Sequence, residues 1–130
     1  MPPRKMQHDV DPAKKILDEI GVLSDVKVMF SQVLVAIYQR PEMTQSGLIL
    51  TPKTLDEDLY QGKAGLVLKL GQMAFEDTES IKFYGQRVNV GEWIAIRPSD
   101  GMTISINEVE CRLVQDVHCK LVVASPDLVW

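Results

Sequence analysis

The sequence predicts an all-β domain, a sandwich or small barrel, preceded by a short helix. Three observations carry this expectation. Runs rich in β-branched and aromatic residues recur along the chain, as in VKVMF, QVLVAIY, AGLVLKLG and WIAI. Gly, Pro, Asn and Asp separate them at short intervals, as turns between strands require. Only one segment, near residues 11–21, carries apolar residues at helical spacing. With 130 residues, 45% of them hydrophobic, the chain fits one domain able to bury a core without disulfide help.

Residues 1–10 mix Pro, Arg, Lys and His without periodicity and read as an arm, disordered unless a partner binds it. In DPAKKILDEIGV, Asp11 is the expected N-cap, Pro12 the first helical residue and Gly21 the stop. Ile16, Leu17 and Ile20 fall on one side, giving a helix that needs docking to be stable. Strands are expected at 26–30 and 32–38, ended by Pro41, which cannot donate to a ladder. A long polar excursion spans 41–62, and a strand follows over 64–71. Residues 72–86 read as a second loop or loose hairpin. The segment 87–98 turns near Gly91 and continues as a strand to Ile96, and Ser99-Asp100-Gly101 is a tight turn. A strand pair over 102–114, bent near Asn107-Glu108, a turn at Gln115-Asp116 and a last strand over 118–126 complete the domain.

Several function classes lose support from composition. A net charge of -4 gives no basic footprint for nucleic acid. No stretch approaches the ~20 apolar residues of a membrane span. No apolar segment follows the N-terminal MPPRKMQHDVDPAKK, so a cytoplasmic protein is expected. Cys111 and Cys119 lie on one expected hairpin and read as buried thiols in a reducing cytosol, with a bridge between them as the alternative. Together with His118 they match no zinc spacing, and a fourth ligand is missing. The run Asp56-Glu57-Asp58 lacks the spacing and turn glycine of a calcium loop and reads as a solvated segment. No nucleophile motif or phosphate loop is present, so neither an enzyme nor a cofactor is expected.

The 41–62 excursion is longer than a turn, and long loops in compact domains are usually functional or disordered. It carries three aliphatics, Leu48, Ile49 and Leu50, between Gly47 and Pro52 in otherwise polar surroundings. In extended backbone Leu48 and Leu50 point one way and Ile49 the other. Two readings remain open. The triplet is displayed for a partner's groove, or it is a strand packed on this domain with Leu55 and Leu59 covering it.

The order of these pieces resembles the co-chaperonins of the GroES type, the chaperonin-ten family, from about residue 27 to 125. The early strand corresponds to QVLVAIYQRP, and the mobile loop with its glycine, aliphatic triplet and threonine to SGLILT. The next short strand corresponds to GLVLKLG, and residues 72–86 stand where the family has a roof hairpin. VNVGEWIAI, the Asp100-Gly101 turn, INEVECRLV and KLVVAS follow in the family's order. The resemblance implies an irregular small β-barrel over 27–126, with a long mobile loop at about 41–62, an N-terminal helical extension over 1–26 and a tail at 127–130. It implies a heptameric, ring-shaped lid on an ATP-driven chaperonin cylinder that assists protein folding. Gly47, Leu48, Ile49 and Leu50 would dock in the cylinder. The first strand, near Val33, Leu34 and Val35, would pair with a neighbour's last strand, near Leu121, Val122 and Val123.

Departures from the family pattern are the extra N-terminal segment, the acidic run, Met102-Thr103 after the Asp-Gly turn and the LVW tail. An added arm of this kind is similar to co-chaperonin-like proteins of bacteriophages. That suggests a second class of function, a virion protein that cements or decorates a shell of phage major capsid protein.

Overall fold

The computed structural model describes residues 6, 8–41, 49–53 and 63–129. Among the described residues the main elements are a helix, α1 (Pro12–Ile20), and the strands β1 (Gln32–Ile37), β2 (Ala64–Leu70), β3 (Trp93–Ala95), β4 (Met102–Ile106), β5 (Val109–Gln115) and β6 (Leu121–Val123). They form one antiparallel sheet in the order β4-β5-β1-β2-β3-β6. The mostly β expectation therefore holds, and among the described residues the ladder ends at β4 on one side and β6 on the other. No helix among the described residues is long and apolar enough to cross a membrane.

The helix forms as its caps dictate. The Asp11 carboxylate accepts from the Lys14 N–H at 3.2 Å, and the Gly21 N–H returns to Leu17 O at 3.1 Å. Ile16 and Ile20 are buried, whereas Leu17 is half exposed. A residue advances the helix by about 100°, so Leu17 lies on the flank of the seam that joins Ile16 to Ile20.

The sheet buries both faces. On one, Leu34, Ala36, Leu66, Leu68, Trp93 and Cys111 pack with Ile16 and Ile20 of α1. On the other, Val33, Val35, Ile37, Val67, Ile94 and Val114 pack with Ala74 and Val88 from the segment before β3. Strand alternation sends neighbouring residues to opposite clusters, so β1 and β2 read as unbroken apolar runs. A register shift between Leu34 and Val35 marks an irregularity in the β1–β2 ladder.

Two expected strands are shorter or absent, and the second long loop is irregular chain. Residues 26–30 form no strand. They join no ladder but pack on the sheet, with Val26 and Val28 against the core and the Lys69 ammonium donating to Leu23 O and Val26 O. At the end of this passage the backbone comes so near Gly71 that a Cβ there would lie 2.1 Å from Phe30 O. Residues 72–86 are turns and irregular chain, the loop of the two expected readings. They are pinned by side chains: the Phe83 N–H donates to Asp77 and the Phe75 N–H to the buried Asp116. Of 118–126, only Leu121–Val123 is strand. The turn at Asn107-Glu108 is as expected, with both residues at positive φ (49° and 67°), the conformation a two-residue hairpin uses.

Candidate functional site

The connection from β1 to β2 contains the aliphatic triplet. Ile49 and Leu50 are described; Gly47, Leu48, Leu55, Leu59 and the acidic run at 56–58 lie outside the described residues. Ile49 is 68% exposed and Leu50 only 8%. This is the opposite-sides arrangement that extended backbone dictates. It divides the expected docking group: Ile49 is presented to solvent, and Leu50 is spent on the protein's own interior.

The expected subunit contact also divides. Val33, Leu34 and Val35 sit in β1, which is hydrogen-bonded to β2 on one edge and β5 on the other. Their exposure is 0–2%. A strand with both edges satisfied has no backbone groups left for a neighbour, so these residues do not supply the joint. Leu121, Val122 and Val123 form β6, paired among the described residues to β3 alone and half exposed at Leu121 and Val122. Their position suits a contact between copies.

The N-terminal segment is not free where it is described. Met6 is 1% exposed, and its N–H donates to Asp127 Oδ2 at 3.2 Å. His8 Nε2 lies 3.0 Å from the same oxygen, and the Tyr38 hydroxyl donates to Asp127 Oδ1 at 2.6 Å. Tyr38 OH and His8 Nε2 are 3.3 Å apart. Asp127 is held in place by a 3-10 turn, Pro126–Leu128, capped by Ser125. One carboxylate thus ties arm, end of β1 and tail together. Sequence reasoning missed it, because its members lie up to 121 positions apart.

Titratable groups in the interior are quiet. Cys111 and Cys119 are free thiols that belong to opposite faces of the sheet, which is why no bridge joins them. Burial, then the nearby Glu110, pushes Cys111 up to about 11. Burial, then Asp116, pushes Cys119 up to about 12. Such thiols remain protonated and weakly nucleophilic. Arg112 is 1% exposed, an unexpected charge in the sheet interior. Its Nη1 donates to Arg97 O at 3.4 Å, while its Nε has no partner. Burial lowers its pKa, against the opposing pull of Glu110 and Asp100. Among the described residues no group of three or more His, Cys, Asp or Glu side chains is placed to hold a metal.

Exposed apolar residues gather at a second place. Met29 (50%), Phe30 (66%) and Met73 (56%) lie together, joined by the Met73 N–H to Phe30 O bond at 3.0 Å. Phe30 takes φ 54°, a left-handed conformation costly for a bulky side chain.

Compared with known proteins, the chain matches no family model and no curated protein.

Proposed function

We propose that this chain is a lid subunit of the co-chaperonin type, docking on a chaperonin cylinder through the β1–β2 connection. The observation that supports the reading is Ile49, two-thirds exposed beside a buried Leu50 in the segment SGLILT. An isolated aliphatic on an outer loop is a poor contribution to the chain's own stability and a good anchor for an apolar groove. Full burial of one such side chain contributes about 1.5–3 kcal/mol, and ordering the loop takes back part of it. One copy alone binds weakly. A ring presenting several copies binds through multivalency. Leu50 joins the anchor only by leaving its own buried site, which costs a similar amount.

The test is co-elution of the chain with a bacterial chaperonin, with and without ATP, using wild type and Ile49→Ser. Wild type is expected to bind only with nucleotide, and the serine variant to lose binding without losing thermal stability. Equal binding by both proteins, or none by either, removes the lid reading and leaves the virion-protein reading in its place.

A further inference from the structure

We propose that the cleft between the end of β3 and the 3-10 turn before β6 binds a small phosphate monoester. The site stands apart from the lid reading, and Ile49 takes no part in it.

The fold brings this cleft together from four distant parts of the chain. It has a volume of about 390 Å³ and gathers Lys63, Arg97, Asp100, His118 and Lys120. Backbone bonds fix where these side chains start. The Ile96 N–H donates to Lys63 O at 2.8 Å, which holds Lys63 beside the end of β3. The Asp100 N–H donates to Arg97 O at 3.0 Å and closes the turn that carries both. The Cys119 N–H donates to Asp116 O at 3.1 Å and closes the 3-10 turn Asp116–His118.

Charge decides the class of ligand. Lys63, Arg97 and Lys120 bring three positive charges to the cleft, and Asp100 brings the one carboxylate among its lining residues. That carboxylate is already engaged, with Oδ2 3.4 Å from Arg97 Nε. Behind them the buried Arg112 donates from Nη1 to Arg97 O at 3.4 Å and adds a further positive charge. Three cations facing one carboxylate leave two positive charges in excess, in a protein whose net charge is -4. A phosphate monoester carries roughly -1.5 to -2 near pH 7 and matches that excess. A single carboxylate would leave half of it uncompensated.

His118 supplies an uncharged donor. Its Nδ1 is shielded from solvent and has no hydrogen-bond partner among the described residues. Shielded N–H groups without an acceptor are rarer in proteins than shielded acceptors without a donor. The proton therefore belongs on Nε2, which is not shielded in this way. A neutral His118 thus offers one N–H from the open side of its ring, as an oxyanion requires. Ala95 and Val129 add apolar wall, from which the organic part of an ester gains and free phosphate does not. Lys120 also borders a neighbouring groove with Lys82 and Arg87, so the positive surface continues beyond the cleft and steers anions toward it.

The experiment follows the imidazole nitrogens of the full chain by NMR, at constant ionic strength. The chain has two histidines, so His8, held by Asp127, serves as the internal reference. The probes are phenyl phosphate, inorganic phosphate and chloride. Phenyl phosphate is expected to give a saturable change at His118 Nε2 and none at His8. Inorganic phosphate should bind roughly three- to tenfold more weakly, and chloride should give no change. Lys63→Ala and Lys120→Ala should each weaken phenyl phosphate roughly three- to tenfold. Lys82→Ala removes the same charge from the neighbouring groove and should weaken it less than about twofold. His118→Leu should lower affinity about tenfold with a melting temperature at or above that of wild type, because the unpartnered Nδ1 goes with the ring. No change at His118, the same change with chloride, or equal weakening by Lys82→Ala and Lys63→Ala would overturn the proposal. Inorganic phosphate binding as tightly as the ester would overturn the assignment of an ester. Should His118→Leu melt below wild type, the two lysine variants carry the test. A chain that ignores chaperonin but binds phenyl phosphate keeps this inference and loses the lid. A chain that binds chaperonin but not phenyl phosphate does the reverse.

Discussion

The centre and the rim of one sheet obey different rules in this protein. β1 and β2 are bonded on both edges, and Val33–Ile37 and Ala64–Leu68 are buried throughout. Among the described residues β4 and β6 are bonded on one edge, and most of their side chains face solvent. The amino acids differ little in kind: all four strands are rich in Val, Leu, Ile or Met. Position in the sheet, more than hydrophobicity, decides whether an apolar residue stabilises the fold or remains available to a neighbour.

The largest separation of the two regions is expected from truncation. Leu66→Ala, in β2 and 0% exposed, should destabilise by about 2–5 kcal/mol. Urea midpoints for this variant, beside wild type, check the value. A loss under about 1 kcal/mol would mean that the centre is less well packed than its burial indicates. Next in size is the carboxylate that fastens the N-terminal segment. Asp127→Ala removes the 2.6 Å bond from the Tyr38 hydroxyl and the acceptor of the Met6 N–H and should cost about 1–3 kcal/mol. Faster amide exchange at Met6 and His8 would accompany it.

A smaller effect follows from Cys111. Its folded pKa lies near 11, above that of an exposed thiol, so the unfolded chain ionises first as pH rises. Stability from this residue is complete below pH ~8.5 and falls as pH climbs toward 11, by on the order of 1 kcal/mol at pH ~10. Cys111→Ala should flatten that part of the pH profile, measured by denaturant unfolding in alkaline buffers. The smallest effect is expected at the rim: Ile104→Ser should change the stability of the isolated chain by less than about 0.5–1 kcal/mol. A larger loss would mean that β4 belongs energetically to the centre.

Local chemistry was readable before the structure. Asp11, Pro12 and Gly21 bound α1, and Asn107-Glu108 turns β4 into β5. Strand order was not, because it depends on pairings between segments far apart, such as β1 with β5. One clue was present: VLVAI has no polar alternation, as expected of a strand covered on both faces. That run argues against Val33, Leu34 and Val35 as a subunit joint. Residues 26–30 have strand composition but no ladder, since Lys69 and the close approach of Gly71 fix their path instead. The Asp127 cluster left no local pattern at all. At the loop, alternation anticipated that Ile49 and Leu50 would part, but not which of them would be buried.

Hydrogen–deuterium exchange, run on the chain alone and then with a bacterial chaperonin and ATP, tests the central claim most directly. Protection at residues 49–53 should appear only when chaperonin and nucleotide are both present. Fast exchange at 49–53 under every condition would contradict docking through Ile49.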